Sequence, residues 1–209
     1  MQQEDLFEEA PLKVASAVYA RNSASIEQEQ KTDHPMFHEA APASVVTDID
    51  PDAFFTAEYD ASLQTMIAHV IEIEGPVRED VLAKRIARAH GWARTGKRIR
   101  DRVFQMAEKK YLITIEEVGR FFWPEGSDTS EWQAFRYSEN GSRPVDEISS
   151  QELNALARHA SQKCDSVDES AAEMARLIGV RRVTEEVKKR LEVSVRNMSL
   201  LQKSSHLLN

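Results

Sequence analysis

Two segments of this chain follow one template at a fixed offset of 88 positions: Ile86 to Val103, IARAHGWARTGKRIRDRV, and Met174 to Leu191, MARLIGVRRVTEEVKKRL. Aligned, they share Ala87/Ala175, Arg88/Arg176, Gly91/Gly179, Arg94/Arg182 and Arg102/Arg190, with Ile99 and Val103 answered by Val187 and Leu191. A helix that stops at a glycine, which accepts the positive φ of a tight turn, and is followed within a few residues by a second amphipathic helix gives two helices that cross steeply. Small Ala87 and Ala175 let the next helix approach. The template therefore predicts a helix-turn-helix-like unit, used twice, and by itself specifies a fold unit rather than a ligand.

The residues between and around the two copies extend this reading. Leu63, Met66, Ile67, Val70 and Ile71 recur at helical spacing until Gly75 and Pro76, predicting a first helix from Asp60. A second runs from Arg78 to His90 with Val81, Leu82, Ile86 and Ala89 inward, and a third from a Thr95 N-cap to about Lys110. The run YLITIEEVGRFFWP places β-branched and aromatic residues on both sides of a turn at Gly119, a two-stranded hairpin signal. Three helices and a hairpin in this order predict a winged helix over residues 59–127. Residues 128–148 are a connection with a short strand at Trp132 to Tyr137 and a turn at Asn140 and Gly141. Capping-box spacing at Ser149/Glu152 and Ser166/Glu169, with Thr184 as a third cap, predicts a second helical subdomain over 149–203. The expected class is mainly α with a small β-hairpin.

Residues 1–58 are different. Residues 1–60 contain thirteen acidic groups against Lys13, Arg21 and Lys31, and Pro11, Pro35, Pro42 and Pro51 interrupt any long helix. Such a segment buries too little to offset its ordering entropy and reads as a disordered acidic tail with a short helix near Leu6 to Tyr19. Its apolar clusters, Val45, Val46, Phe54 and Phe55, would dock on a partner or on the domain that follows. The net charge of −8 thus hides an asymmetry, because residues 75–110 carry eleven basic groups against four acidic ones. The lone Cys164 excludes an internal disulfide and reads as a packing residue in a reducing compartment. With no membrane-length apolar run and no secretory signal, the chain is expected to be soluble and cytoplasmic.

Residues 91–98, GWARTGKR, come within one residue of a phosphate-binding loop. That loop needs a preceding strand and a hydroxyl on Mg²⁺, whereas here a periodic helix precedes and Arg98 stands in the hydroxyl position. His34, His38, His69, His90, His159 and His206 are scattered without metal-ligand spacing, and no carboxylate pair for acid-base work can be placed. No catalysis, cofactor or metal is expected.

The candidate site is the basic turn. Arg94, Thr95, Lys97, Arg98, Arg100 and Arg102 surround the start of the third helix, where free amides and the helix dipole favour an anion, and Arg120 lies near the hairpin tip as a wing contact. No Asn or Gln leads the helix, so backbone phosphate contact is favoured over base readout. In the second copy Glu185 and Glu186 replace Lys97 and Arg98, which suits a structural or protein-contact role, although Arg181, Arg182, Lys188 and Lys189 could touch a backbone from the side. The alternative for the first copy is a solvated or protein-facing helix.

The runs EGPVREDVLAKRIARAHGWARTGKRIRDRV, FFWP, Arg136 to Glu147 and MARLIGVRRVTEEVKKRL resemble an uncharacterised C-terminal winged-helix-like domain of large bacterial superfamily 1 helicase-like proteins. The resemblance spans roughly Tyr59 to Arg196. It implies a neighbouring motor ATPase and often a nuclease domain, neither of whose motifs occurs here, so the chain is expected to be a fragment, a separately encoded remnant or a truncated product. The expectation is a noncatalytic accessory module that binds duplex DNA and works with helicase or nuclease domains. The competing expectation is a protein-interaction module that docks through the winged helix and the acidic tail.

Overall fold

The apolar stripe from Leu63 to Ile71 forms helix α1, Asp60–Glu74, in the computed structural model, which describes residues 35–138 and 143–206, with side chains as far as residue 198. The short helix expected near Leu6, the turn at Asn140 and Gly141, and His34 lie outside the described residues. Gly75 ends α1 where Pro124 packs onto its backbone, since a Cβ there would lie 2.6 Å from Pro124 Cδ. Strand β1, Val77–Arg78, leads into α2, Glu79–Ala89, whose first turn carries Glu79 and Asp80 where negative charge complements the free amides. Helix α3 is Lys97–Ala107. Its N-cap is Gly96 in extended conformation, not Thr95, and no side chain caps it.

Strands β2, Ile113–Glu116, and β3, Gly119–Phe122, pair antiparallel with Ile113 opposite Phe122 and Glu116 opposite Gly119. The expected hairpin is therefore present, but the sheet has a third strand. Val77 and Arg78 of β1 pair antiparallel with Phe122 and Phe121, giving the order β1-β3-β2. Two residues are too few to leave a periodic signal in the sequence. The strand expected at Trp132 to Tyr137 is reduced to a single bridge: Tyr137 faces Met36, and the Phe37 N–H donates to Tyr137 O at 2.7 Å.

The second group comprises α4, Ser150–Ala160, α5, Val167–Leu177, and α6, Glu185–His206. Ser149 and Ser166 accept from the amides of Glu152 and Glu169, each at 3.2 Å, and Thr184 Oγ1 accepts from the Val187 amide at 3.4 Å. The turn template repeats in detail. Gly91 (φ +78°) and Gly179 (φ +65°) both take left-handed backbone, and their N–H groups donate to Arg88 O at 3.0 Å and Arg176 O at 3.1 Å. The next amides, of Trp92 and Val180, donate to Ala87 O and Ala175 O. The chain is mainly helical, with six α-helices and a three-stranded antiparallel sheet among the described residues.

Two apolar cores result. The first joins α1, α2 and α3 to Val77 and Phe122; the second joins α4, α5 and α6 to Phe135, Val145 and Ile148 of the connection. Residues 36–58, read from the sequence as part of the tail, contribute to the packing. Phe54 is fully buried in the first core, Val46 packs against it, and 3-10 turns occur at Pro42–Val45 and Ala53–Phe55. Phe37, Ala40 and Pro42 are buried as well, so the segment is held by several apolar contacts that its average composition does not reveal. Phe55 and Val45, by contrast, stay exposed. No helix among the described residues is long and apolar enough to cross a membrane.

Candidate nucleic-acid interface

The seven residues of the basic turn and hairpin fall into two sets. Arg94, Lys97, Arg98 and Arg100 are exposed around the front of α3, with Thr95 half-buried between them. Lys97 Nζ reaches Asp101 Oδ2 at 2.6 Å, an exposed i,i+4 pair of small energetic worth that leaves the ammonium accessible. Arg94 and Arg100 have no hydrogen-bond or ion-pair partner among the described residues. The backbone adds to this positive field, because the uncapped first turn of α3 presents amide hydrogens with no side-chain acceptor.

Arg102 and Arg120 are placed elsewhere. Arg102 turns back to the start of α1, donating to Thr56 O at 2.7 Å and Asp60 Oδ1 at 2.6 Å, with its Cζ 5.9 Å from the Phe54 ring centre. The expected wing contact, Arg120, lies on β3 opposite Ile115, one pair from the tip formed by Glu117 and Val118. Its guanidinium sits 3.8 Å from the Phe104 ring centre, and its Nε donates to Glu79 Oε2 at 2.8 Å. Both guanidinium groups therefore fasten helices and sheet together.

The repeat partner of Arg102 does the same. Arg190 donates to Ile148 O at 2.7 Å, just before α4, and approaches Glu116 Oε2 at 3.3 Å. In both arginines Nε is buried without an acceptor. The shared arginine is thus part of how each three-helix group closes, which explains its recurrence without any ligand. At the front of α6 the positions of Lys97 and Arg98 hold exposed Glu185 and Glu186, and Lys188 pairs with Asp168 at 3.2 Å. Arg181, Arg182 and Lys189 are exposed there.

An aromatic cluster supports the turn between α2 and α3. The buried His90 stacks on Trp92, with centroids 5.1 Å apart, and Phe54 meets both rings edge-on at 4.9 Å. His90 Nδ1 lies 2.7 Å from Ile86 O and Nε2 lies 2.9 Å from Tyr59 Oη. That arrangement assigns the proton to Nδ1 and makes Nε2 the acceptor of the tyrosine hydroxyl. Burial lowers the His90 pKa, against the opposing bond to Ile86 O. Phe55 stands at the outer edge of this cluster with Arg98 above it, 4.5 Å from Cζ to ring centre.

Sequence reasoning missed two buried carboxylates. Glu74 accepts from Arg85 Nε at 2.7 Å and from the Ala40 amide at 2.9 Å. Glu152 receives Arg143 at 2.6 Å and Arg136 at 2.8 Å while Arg143 Cζ lies 4.8 Å from the Phe37 ring centre. Burial alone would raise the Glu152 pKa, but the charges and hydrogen bonds of Arg143 and Arg136 prevail and hold it at about 2. The capping-box reading of Glu152 is therefore half of its role. Its amide meets Ser149, but its carboxylate turns inward. A signal was present, since Glu74 falls on the stripe of Ile67, Val70 and Ile71, where a charged group must be buried or break the face.

The loop at residues 91–98 follows a helix, and its lysine is the one paired with Asp101. Cys164 is half-buried, and burial followed by the charge of Glu173, Glu169 and Asp165 raises its thiol pKa. Among the described residues no group of three or more His, Cys, Asp or Glu is placed to hold a metal ion. No curated protein and no solved structure matches the chain. Residues 52–101, from the 3-10 turn at Phe54 to the first turns of α3, match a family model described as a protein of unknown function (DUF3320).

Proposed function

We propose that residues 59–127 act as a winged helix and that the chain is a noncatalytic DNA-binding accessory module, contacting duplex backbone from the front of α3. The observation that carries this reading is the exposed group Arg94, Lys97, Arg98 and Arg100 around a helix start with no side-chain cap. Phosphates on either side of a groove suit cations that point away from the apolar face of α3, which Val103, Met106 and Ala107 bury. Arg102, 21% exposed, supports the geometry from within, and Arg120, 42% exposed, is held against Phe104 and Glu79. The module would serve a helicase-like protein, with helicase or nuclease domains as partners, as the sequence resemblance implies.

Titrating a labelled duplex with the full chain at two salt concentrations tests the proposal. Affinity that falls steeply with salt is expected, and absence of binding at low salt refutes it. One observation favours the alternative, a protein-docking module. Ile115 on edge strand β2 is 82% exposed and Leu112, just before the strand, is 50% exposed, and apolar side chains at a sheet edge suit protein better than phosphate. A stable protein complex with no salt-sensitive DNA binding would decide for it.

A further inference from the structure

We infer that Phe55 and Arg98 form a stacking platform for an unpaired nucleobase, so that the module prefers DNA with a single-stranded end over a continuous duplex; this rests on the nucleic-acid reading above. Phe55 is 42% exposed, whereas its neighbour Phe54, next in sequence, is fully buried. The two rings meet edge to face with centroids 5.0 Å apart, and Phe54 also abuts Trp92 at 4.9 Å. Phe55 is therefore a ring held on a rigid aromatic base rather than a mobile side chain.

The charge around it selects the occupant. Arg98 already lies over the ring, and exposed Arg94, Lys97 and Arg100 surround the same helix start. A purely apolar partner would desolvate these cations without compensation. A nucleotide satisfies both halves, because its base extends the stack of ring and guanidinium while its phosphate meets the neighbouring cations. Base-on-aromatic stacking is indifferent to sequence, in keeping with a helix that presents no amide side chain for base readout. A fully paired duplex keeps its bases stacked inside and can supply only the phosphate half. An end, a fork or a flap can supply both.

The test compares two labelled probes with the full chain at one salt concentration: a blunt duplex of random sequence, and the same duplex with a short thymine overhang. The overhang is expected to bind about 5- to 150-fold more tightly, the range for one stacked base. In Phe55→Leu, which keeps an apolar side chain against Phe54, that ratio falls to near one; in Phe55→Trp it is kept or increased. Equal affinity of the two probes for the unaltered chain, or a preference that survives Phe55→Leu, overturns the platform while leaving duplex binding standing. Binding of neither probe at low salt removes the nucleic-acid reading itself and the platform with it.

Discussion

Charge reversal at Lys97 and Arg98 separates a phosphate-binding helix from one that is merely solvated. Four cations are exposed at the front of α3, Arg94, Lys97, Arg98 and Arg100, while Arg102 and Arg120 are bound to Asp60 and Glu79. If each exposed cation neutralises one phosphate, log K falls with log salt at a slope of roughly −3.6, so affinity drops about 150-fold between 50 and 200 mM salt. Lys97→Glu with Arg98→Glu, which copies Glu185 and Glu186 of the second unit, leaves at most two such contacts. The slope should then be no steeper than about −1.8, and the same salt change should cost about 12-fold. Because both positions are exposed, the double variant should melt within about 0.5 kcal/mol of the parent. Arg102→Met is the matched control. Losing the bonds to Thr56 O and Asp60 should destabilise the fold by about 1–3 kcal/mol and leave the slope unchanged. Fluorescence anisotropy across a salt series reads all three proteins. A double variant with the parent's slope, or an Arg102→Met slope as shallow as the double variant's, would refute this assignment of the cations.

Three further outcomes follow from the fold. Gly91→Ala should cost about 1–2 kcal/mol in urea denaturation through backbone strain alone, because φ is +78° and no atom lies within 4 Å of the added Cβ; Asn, which tolerates this conformation, should recover part of the loss. Glu152, held at about 2 against 4.5 in an open chain, contributes stability that is fully present above pH 4.5 and lost as pH falls toward 2; the loss should be about 3 kcal/mol, and a flat acid limb in a denaturation series would contradict the buried pairing. His90 has a lowered pKa, so the unfolded chain takes up its proton first and stability should begin to fall as pH drops below 6.5; Tyr59→Phe should shift the ring titration observed by NMR, and an unshifted titration would exclude the hydrogen bond to Nε2.

Much of the helical framework was legible because helices are local. The stripes of α1, α2 and α3, the serine caps of α4 and α5, and the glycine that closes each repeated turn depend on residues three or four apart in the chain. The 88-residue repeat was visible for the same reason, and the two turns share their hydrogen bonds as well as their residues. Strand β1 was not legible, since two residues pair only because β3 returns beside them. Phe54 was equally hidden within an acidic stretch whose composition says nothing of one ring that finds a core.

The candidate site divides along the same line. From the residues alone came a cluster of cations at the front of a helix, because charge and helical phase are properties of consecutive positions. How those cations differ depends on partners far away in the chain: Arg102 bonds Asp60 and Arg120 bonds Glu79, while Arg94, Lys97, Arg98 and Arg100 stay exposed. An arginine reads identically in a sequence whether its guanidinium faces water or a carboxylate. Only three-dimensional packing brings the carboxylate within reach, and the desolvation of that pair, a property of its surroundings, decides whether the charge holds the fold or remains available to a ligand.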